Sequence, residues 1–190
     1  MRAVMRRLTP MLLAAALLAG CGNDKTEVPD VTTVAEPSGT TPKSYPGAGL
    51  RFEAPTGWNY DDGKAPMVAV VQTGRATVGV WRYPRTEPLP RTKAELEAAR
   101  DALLAAAKTR DPTFTPIKSA VTKGNEQNPV QIRGNETIDG QRRTVRSTHI
   151  YAGGAEIVVD ATAPVNEFRR VDAQVFSPML RSLRISRPTA

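Results

Sequence analysis

Apolar and polar residues alternate along Leu50-Arg51-Phe52-Glu53-Ala54 and the alternation stops at Pro55-Thr56-Gly57, which predicts a strand closed by a turn. Residues 67–72 and 76–83 are β-rich runs split by Thr73-Gly74-Arg75, the pattern of a hairpin. Residues 114–122 and 129–138 predict two more strands. The second of these meets residues 141–152 through Asp139-Gly140, a type I′ hairpin signal, because both turn positions need positive φ. Gly153-Gly154 turns the chain again, into residues 155–163, so a three-stranded meander is expected.

Two helices interrupt the strands. Thr92-Lys93-Ala94-Glu95 fits a capping box, in which the threonine hydroxyl accepts from one free backbone N–H while the glutamate reaches back to another. The helix should run to about Thr109, with Leu96, Ala99, Leu103 and Ala107 on one stripe, and end at Asp111-Pro112. Residues 164–183 place Val165, Phe168, Val171, Val175 and Phe176 at helical spacing. Pro178 should break or kink that helix, and Leu183-Arg184-Ile185 should close as a short edge strand. The order strands, helix, strands, helix predicts an α+β fold, an antiparallel β-sheet with two main helices packed on it.

The motif Phe52-x-x-Pro55-x-Gly57-Trp58, and a late helix carrying Phe168 and Leu180 into Ser182-Leu183, resemble the PsbP-like superfamily over about residues 45–186. That superfamily includes photosystem extrinsic proteins, and actinobacterial lipoproteins of the LpqN type look similar. The resemblance implies a fold and an accessory, non-catalytic role. It brings no catalytic residue to transfer.

The N-terminus changes the picture of where such a domain would work. Arg2, Arg6 and Arg7 precede an uncharged run from Met11 to Gly20, and Leu18-Ala19-Gly20 leads directly to Cys21. This resembles the bacterial lipoprotein signal, which implies cleavage before Cys21 and acylation (palmitate-type) of its thiol. Residues 1–20 are then a signal peptide. The run is well short of the about 20 apolar residues of a membrane span. An Ala-x-Ala-like site within Ala15 to Ala19 would instead release a secreted chain with a lone thiol. Residues 21–45 read as the lipidated cysteine and a tether rich in Thr, Pro, Ser, Gly and acids, and residues 46–190 as a single globular domain. The expected location is the extracytoplasmic side of the cell membrane, with the membrane as partner through the anchor on Cys21.

Charge and chemistry narrow the function classes. Without the signal, 23 basic residues face 19 acidic ones, a mild surplus compatible with an anionic envelope polymer, an envelope protein or solubility alone. Nucleic acid is not an expected partner outside the cytoplasm, and a monomer is expected. His149 is the only histidine and Cys21 the only cysteine, so no zinc or copper site, and no cofactor, is expected. Ser147, His149 and Asp160 should share one strand face, but alternate strand residues lie about 7 Å apart, which argues against a triad; no catalytic residue is assigned. Asp61-Asp62-Gly63 reads as a plain turn. Trp58, Tyr60, Trp81 and Tyr83 could form either core or a ligand platform.

Arg133, Arg142, Arg143 and Arg146 form the densest basic cluster and the candidate anion-binding site. The Asp139-Gly140 register sets Arg133 opposite Arg146 and Glu136 opposite Arg143. Arg133 and Arg146 are then expected to face each other unpaired unless an anion meets them. Two classes follow from these readings: an envelope-anchored, non-catalytic binding or assembly module, or a carrier or sensor of a small apolar or anionic ligand between helix and sheet. An enzyme is the outsider.

Overall fold

The computed structural model describes residues 32–123 and 128–189. Its chain order is β1 (Gly39–Tyr45), a 3-10 turn (Pro46–Ala48), β2 (Leu50–Thr56), β3 (Asn59–Asp62), β4 (Met67–Thr73), β5 (Ala76–Pro84), α1 (Lys93–Arg110), β6 (Thr115–Val121), β7 (Val130–Ile138), β8 (Gln141–Ala152), β9 (Ala155–Pro164), α2 (Phe168–Val171), a π turn (Asp172–Phe176), α3 (Ser177–Ser182) and β10 (Arg184–Ile185). The class is α+β, as the pattern predicts. The strands divide into two antiparallel sheets: a small one ordered β1-β2-β10, and a large one ordered β3-β4-β5-β9-β8-β7-β6.

The meander β7-β8-β9 forms in the expected register, with Arg133 opposite Arg146 and Glu136 opposite Arg143. Asp139 and Gly140 take φ of 49° and 71°, as a type I′ turn requires. The capping box of α1 closes in both directions: Glu95 N–H donates to Thr92 Oγ1 at 3.2 Å, and Thr92 N–H donates to Glu95 Oε2 at 2.9 Å.

Most of the apolar surface collects on one face of the large sheet. Val78 and Val80 of β5 and Ile157 and Val159 of β9 meet Phe168, Val171, Val175, Phe176 and Met179 from the C-terminal helix, with Leu50, Phe52 and Trp58 closing the side. Pro178 does not break this helix. A proline cannot donate to the carbonyl four residues back, and the chain accommodates it by widening just before: Ser177 N–H donates to Asp172 O, five residues earlier. Val165, expected on the buried stripe, precedes the helix and is exposed. On the opposite face α1 packs more lightly, through Ala107, Leu103 and Leu104 against Phe114, Ile132 and Val145.

Two further expectations are corrected. The tether does not extend to Tyr45: Val34 is buried in the core, Trp58 Nε1 donates to Ala35 O at 3.1 Å, and residues 39–45 pair with β2 as strand β1. Gly74, at φ 51°, lets the Thr33 backbone lie directly on the β4–β5 turn, where a side chain would collide. Asp61 and Asp62 belong to strand β3 rather than a turn, and Asp62 Oδ1 accepts from Tyr45 OH at 2.7 Å. The aromatics divide: Trp58 is core, Tyr60 is partly buried against it, and Tyr83 is exposed.

Trp58 fills core space and anchors the N-terminal segment at once. Trp58→Ala should therefore cost about 3–5 kcal/mol in urea unfolding, the range for a large buried ring. A loss under about 1 kcal/mol would show that the ring is not structural.

Candidate functional site

Because side chains alternate across a strand, β8 presents Val145, Ser147 and His149 toward α1, and Arg146, Thr148 and Ile150 toward the C-terminal helix. Each set lines a cleft.

The α1 cleft encloses about 300 Å³ between the helix and the sheet. Here the spacing argument from the sequence fails. Ser147 Oγ and His149 Nε2 are 2.8 Å apart, because the histidine side chain leans back along the strand and spans the gap between alternate residues. The acid on the far side of the ring is Glu156, not Asp160: Glu156 Oε1 lies 2.7 Å from His149 Nδ1, and Arg85 binds its other oxygen. Register explains both positions. Ser147 sits opposite Asp160, and Glu156 lies on the same face of β9 four residues closer to the hairpin end.

This serine, histidine and carboxylate are connected, yet Ser147 occupies the middle of a strand paired on both sides, with Ile132 and with Asp160. Its neighbouring backbone N–H groups face the ladder, so they do not converge on a developing oxyanion as acyl transfer needs. The array is a hydrogen-bonded relay that orients His149.

Its carboxyls have opposite electrostatics. The His149 hydrogen bond, with Arg85 adding to it, holds Glu156 below the usual carboxylate range despite burial. Burial pushes Asp160 up; a Ser147 hydrogen bond offsets part of this, while its Oδ1 is sealed from solvent without a partner. Glu136 is raised too, first by burial and then by Asp111.

The second cleft lies on the other face of the sheet. A groove of about 480 Å³ runs between β7–β8 and the C-terminal segment, floored by Thr148, Ile150 and Ala152 and walled by Leu180, Leu183 and Ile185. Lys123, Arg146, Arg181 and Arg184 also line it. A smaller depression of about 190 Å³, sharing Gln131 and Arg146 with the groove, adds Lys118 and Arg133.

The candidate anion cluster is thus half assembled. Arg133 and Arg146 share this face. Arg143 points to the other one, where its Nη1 donates to Arg75 O at 3.2 Å, and Arg142 is exposed near the hairpin end. Nor is the Arg133–Arg146 pair bare. Arg146 Nη1 lies 2.5 Å from Asp172 Oδ1, its guanidinium stacks 4.9 Å from the Phe176 ring, and that of Arg133 lies 4.7 Å from the Phe168 ring. The register predicted which arginines meet; the C-terminal helix supplies what covers them. The sequence reading missed Lys118, Lys123, Arg181 and Arg184. Of these only Lys118 had a local signal, being on the strand that pairs with Arg133.

No group of three or more metal-ligating side chains occurs among the described residues. No protein-family model matches the sequence, and no curated protein does. Solved structures do match, and they define a class by fold: α+β sandwiches of the PsbP type. The chain resembles PsbP of the cyanobacterium Synechocystis at 14% identity and TM-score 0.58, covering 88% of this chain and 98% of that one. LpqN of Mycobacterium tuberculosis, described as involved in cell envelope biogenesis, matches at 18% identity and TM-score 0.51, over 77% of this chain and 90% of that one. The Ran-binding protein Mog1p of Saccharomyces cerevisiae matches at 10% identity and TM-score 0.52, over 78% and 96%. These likenesses establish the fold.

The carboxyls of the α1 cleft predict stability changes of opposite sign. Glu156, depressed when folded, contributes stability above the ordinary carboxyl range near about 4 and loses it as pH falls through its folded value. Glu156→Gln should therefore destabilise at pH 7, with the difference fading in acid. Asp160, raised when folded, has a cost present at neutral pH and relieved on acidification. Asp160→Asn should raise the melting temperature at pH 7 and lose that advantage in acid. Thermal unfolding from pH 3 to 7 checks both, and like-signed effects would refute the assignment.

Proposed function

We propose that the chain is an extracytoplasmic lipoprotein whose domain is a non-catalytic carrier or sensor, holding a small ligand in the groove between the C-terminal helix and the large sheet. The observation that carries this reading is the groove itself: an apolar floor and wall from Ile150, Leu180, Leu183 and Ile185, open to solvent and bordered by charged side chains. Of the two binding classes drawn from the sequence, a concave site of this size favours small-ligand capture over surface assembly. The anchor is the acylated Cys21, which lies outside the described residues. Two acyl chains there would tether the domain stably.

Two measurements test the reading. Cys21→Ser should move the chain from the membrane fraction to the soluble one, and equal detergent partitioning of variant and parent would remove the anchor. Native mass spectrometry of the full chain purified from its envelope should show a co-purifying small mass. A bare chain that instead pulls down a stoichiometric protein partner would replace the carrier by an assembly module.

A further inference from the structure

Lys118, Arg133 and Arg146 stand on three adjacent strands at mutually opposed positions, so they form one transverse basic row across β6, β7 and β8. The row opens into the groove, where Lys123, Arg181 and Arg184 add three more cations. Among the described residues no aspartate or glutamate lines either hollow. Asp172 pairs with Arg146; Lys118, Lys123, Arg133, Arg181 and Arg184 have no carboxylate partner among the described residues. Like charges set opposite each other on a sheet are unfavourable unless something compensates them.

Two buried polar atoms near the row are unsatisfied. Thr148, 1% exposed, has an Oγ1 without a hydrogen-bond partner on the groove floor, and the Arg133 Nε is sealed and unpartnered in the adjoining depression, diagonal to it across β7 and β8. A buried donor left without a partner is costly, so an acceptor-rich group that reaches either atom after a local side-chain shift would be stabilising. The apolar strip of Ile150, Leu180, Leu183 and Ile185 runs on from this basic end.

We infer that the groove binds a phosphate ester, its anionic oxygens at the Arg133–Arg146–Arg181 end and any apolar portion along Ile150, Leu180 and Leu183. Phosphate suits the donors: a guanidinium offers two parallel N–H groups that match two phosphate oxygens, and the double charge capacity of the group meets several cations at once. The inference rests on the reading of the groove as a ligand site and names the ligand's chemical class.

The test uses the full chain carrying Cys21→Ser, titrated calorimetrically with three probes: glycerol 1-phosphate, dihexanoyl-phosphatidylglycerol below its micellar concentration, and a short-chain monoacylglycerol without charge. Saturable binding of either phosphate ester is expected, weakening as salt shortens the screening length from about 10 Å at 0.1 M to about 3 Å at 1 M. The tighter of the two identifies a soluble or a lipid source. Arg181→Gln, at an exposed position, and Arg133→Gln should each weaken it by about tenfold or more, the size expected for a lost charge-assisted hydrogen bond. Thr148→Val should weaken it less. If only the monoacylglycerol binds, and Leu183→Gln abolishes it, the groove reading stands and the phosphate inference is overturned. If no probe binds, or if binding ignores Arg181→Gln and Arg133→Gln, the inference fails; an unchanged circular dichroism spectrum shows that each variant is folded.

Discussion

Width governs this molecule. Seven strands spaced about 4.8 Å apart make a sheet nearly 30 Å across, whereas a helix with its side chains covers only about 10–12 Å. One helix on one face and a helix with a three-stranded sheet on the other cannot roof the whole surface. The chain places its heaviest apolar burial where the cover is double, over β4, β5 and β9, with Phe168 and Phe176 completely buried there. On the face of the C-terminal helix the cover thins toward β6, and the groove opens there; on the other face α1 lies over β6 and β7, and its cleft is left over β8 and β9. They are the remainder of a packing problem, and polar side chains share their lining with apolar ones because water reaches it.

Strand β8 divides the chemistry between the clefts by alternation alone. Ser147 and His149 face α1; Arg146 and Thr148 face the C-terminal helix. A slip of one residue in the β7–β8 register would exchange the two sets, moving the arginines under α1 and the histidine into the groove. The Asp139-Gly140 turn, with both residues at positive φ, prevents that slip. Two residues at a hairpin tip thus hold the electrostatic sign of each face.

Legibility in the sequence followed the range of the interaction. The capping box, the type I′ turn and the cross-strand pairs are local, and each formed as the residues predict. The edge strands β1 and β3 were hidden because an edge strand is mostly solvated and polar, and Pro42 is tolerated there, so neither carries an apolar alternation. Site details were hidden for a different reason. Spacing along a strand fixes Cα positions, while the contact between Ser147 and His149 depends on the reach of an imidazole. Likewise, Arg146 was legible as a partner of Arg133, but Asp172, distant in sequence, reaches it only once the C-terminal helix has docked.

That docking decides how selective the groove can be. Asp172 accepts from Arg146 and from Ser177, so Arg146 arrives already partnered and partly neutralised. An anion that met Arg146 alone would have to displace a hydrogen-bonded carboxylate in a partly buried setting and would gain little net attraction. A ligand reaching Arg133, Arg181 or Lys123 avoids this exchange, because among the described residues these cations hold no carboxylate. The ion pair therefore acts as a filter: small monovalent anions find one compensated site, whereas a polyvalent group large enough to bridge the row and the helix meets several uncompensated ones. Affinity in this arrangement grows with the number of cations spanned, and the spacing set by three adjacent strands determines which ligands can span them.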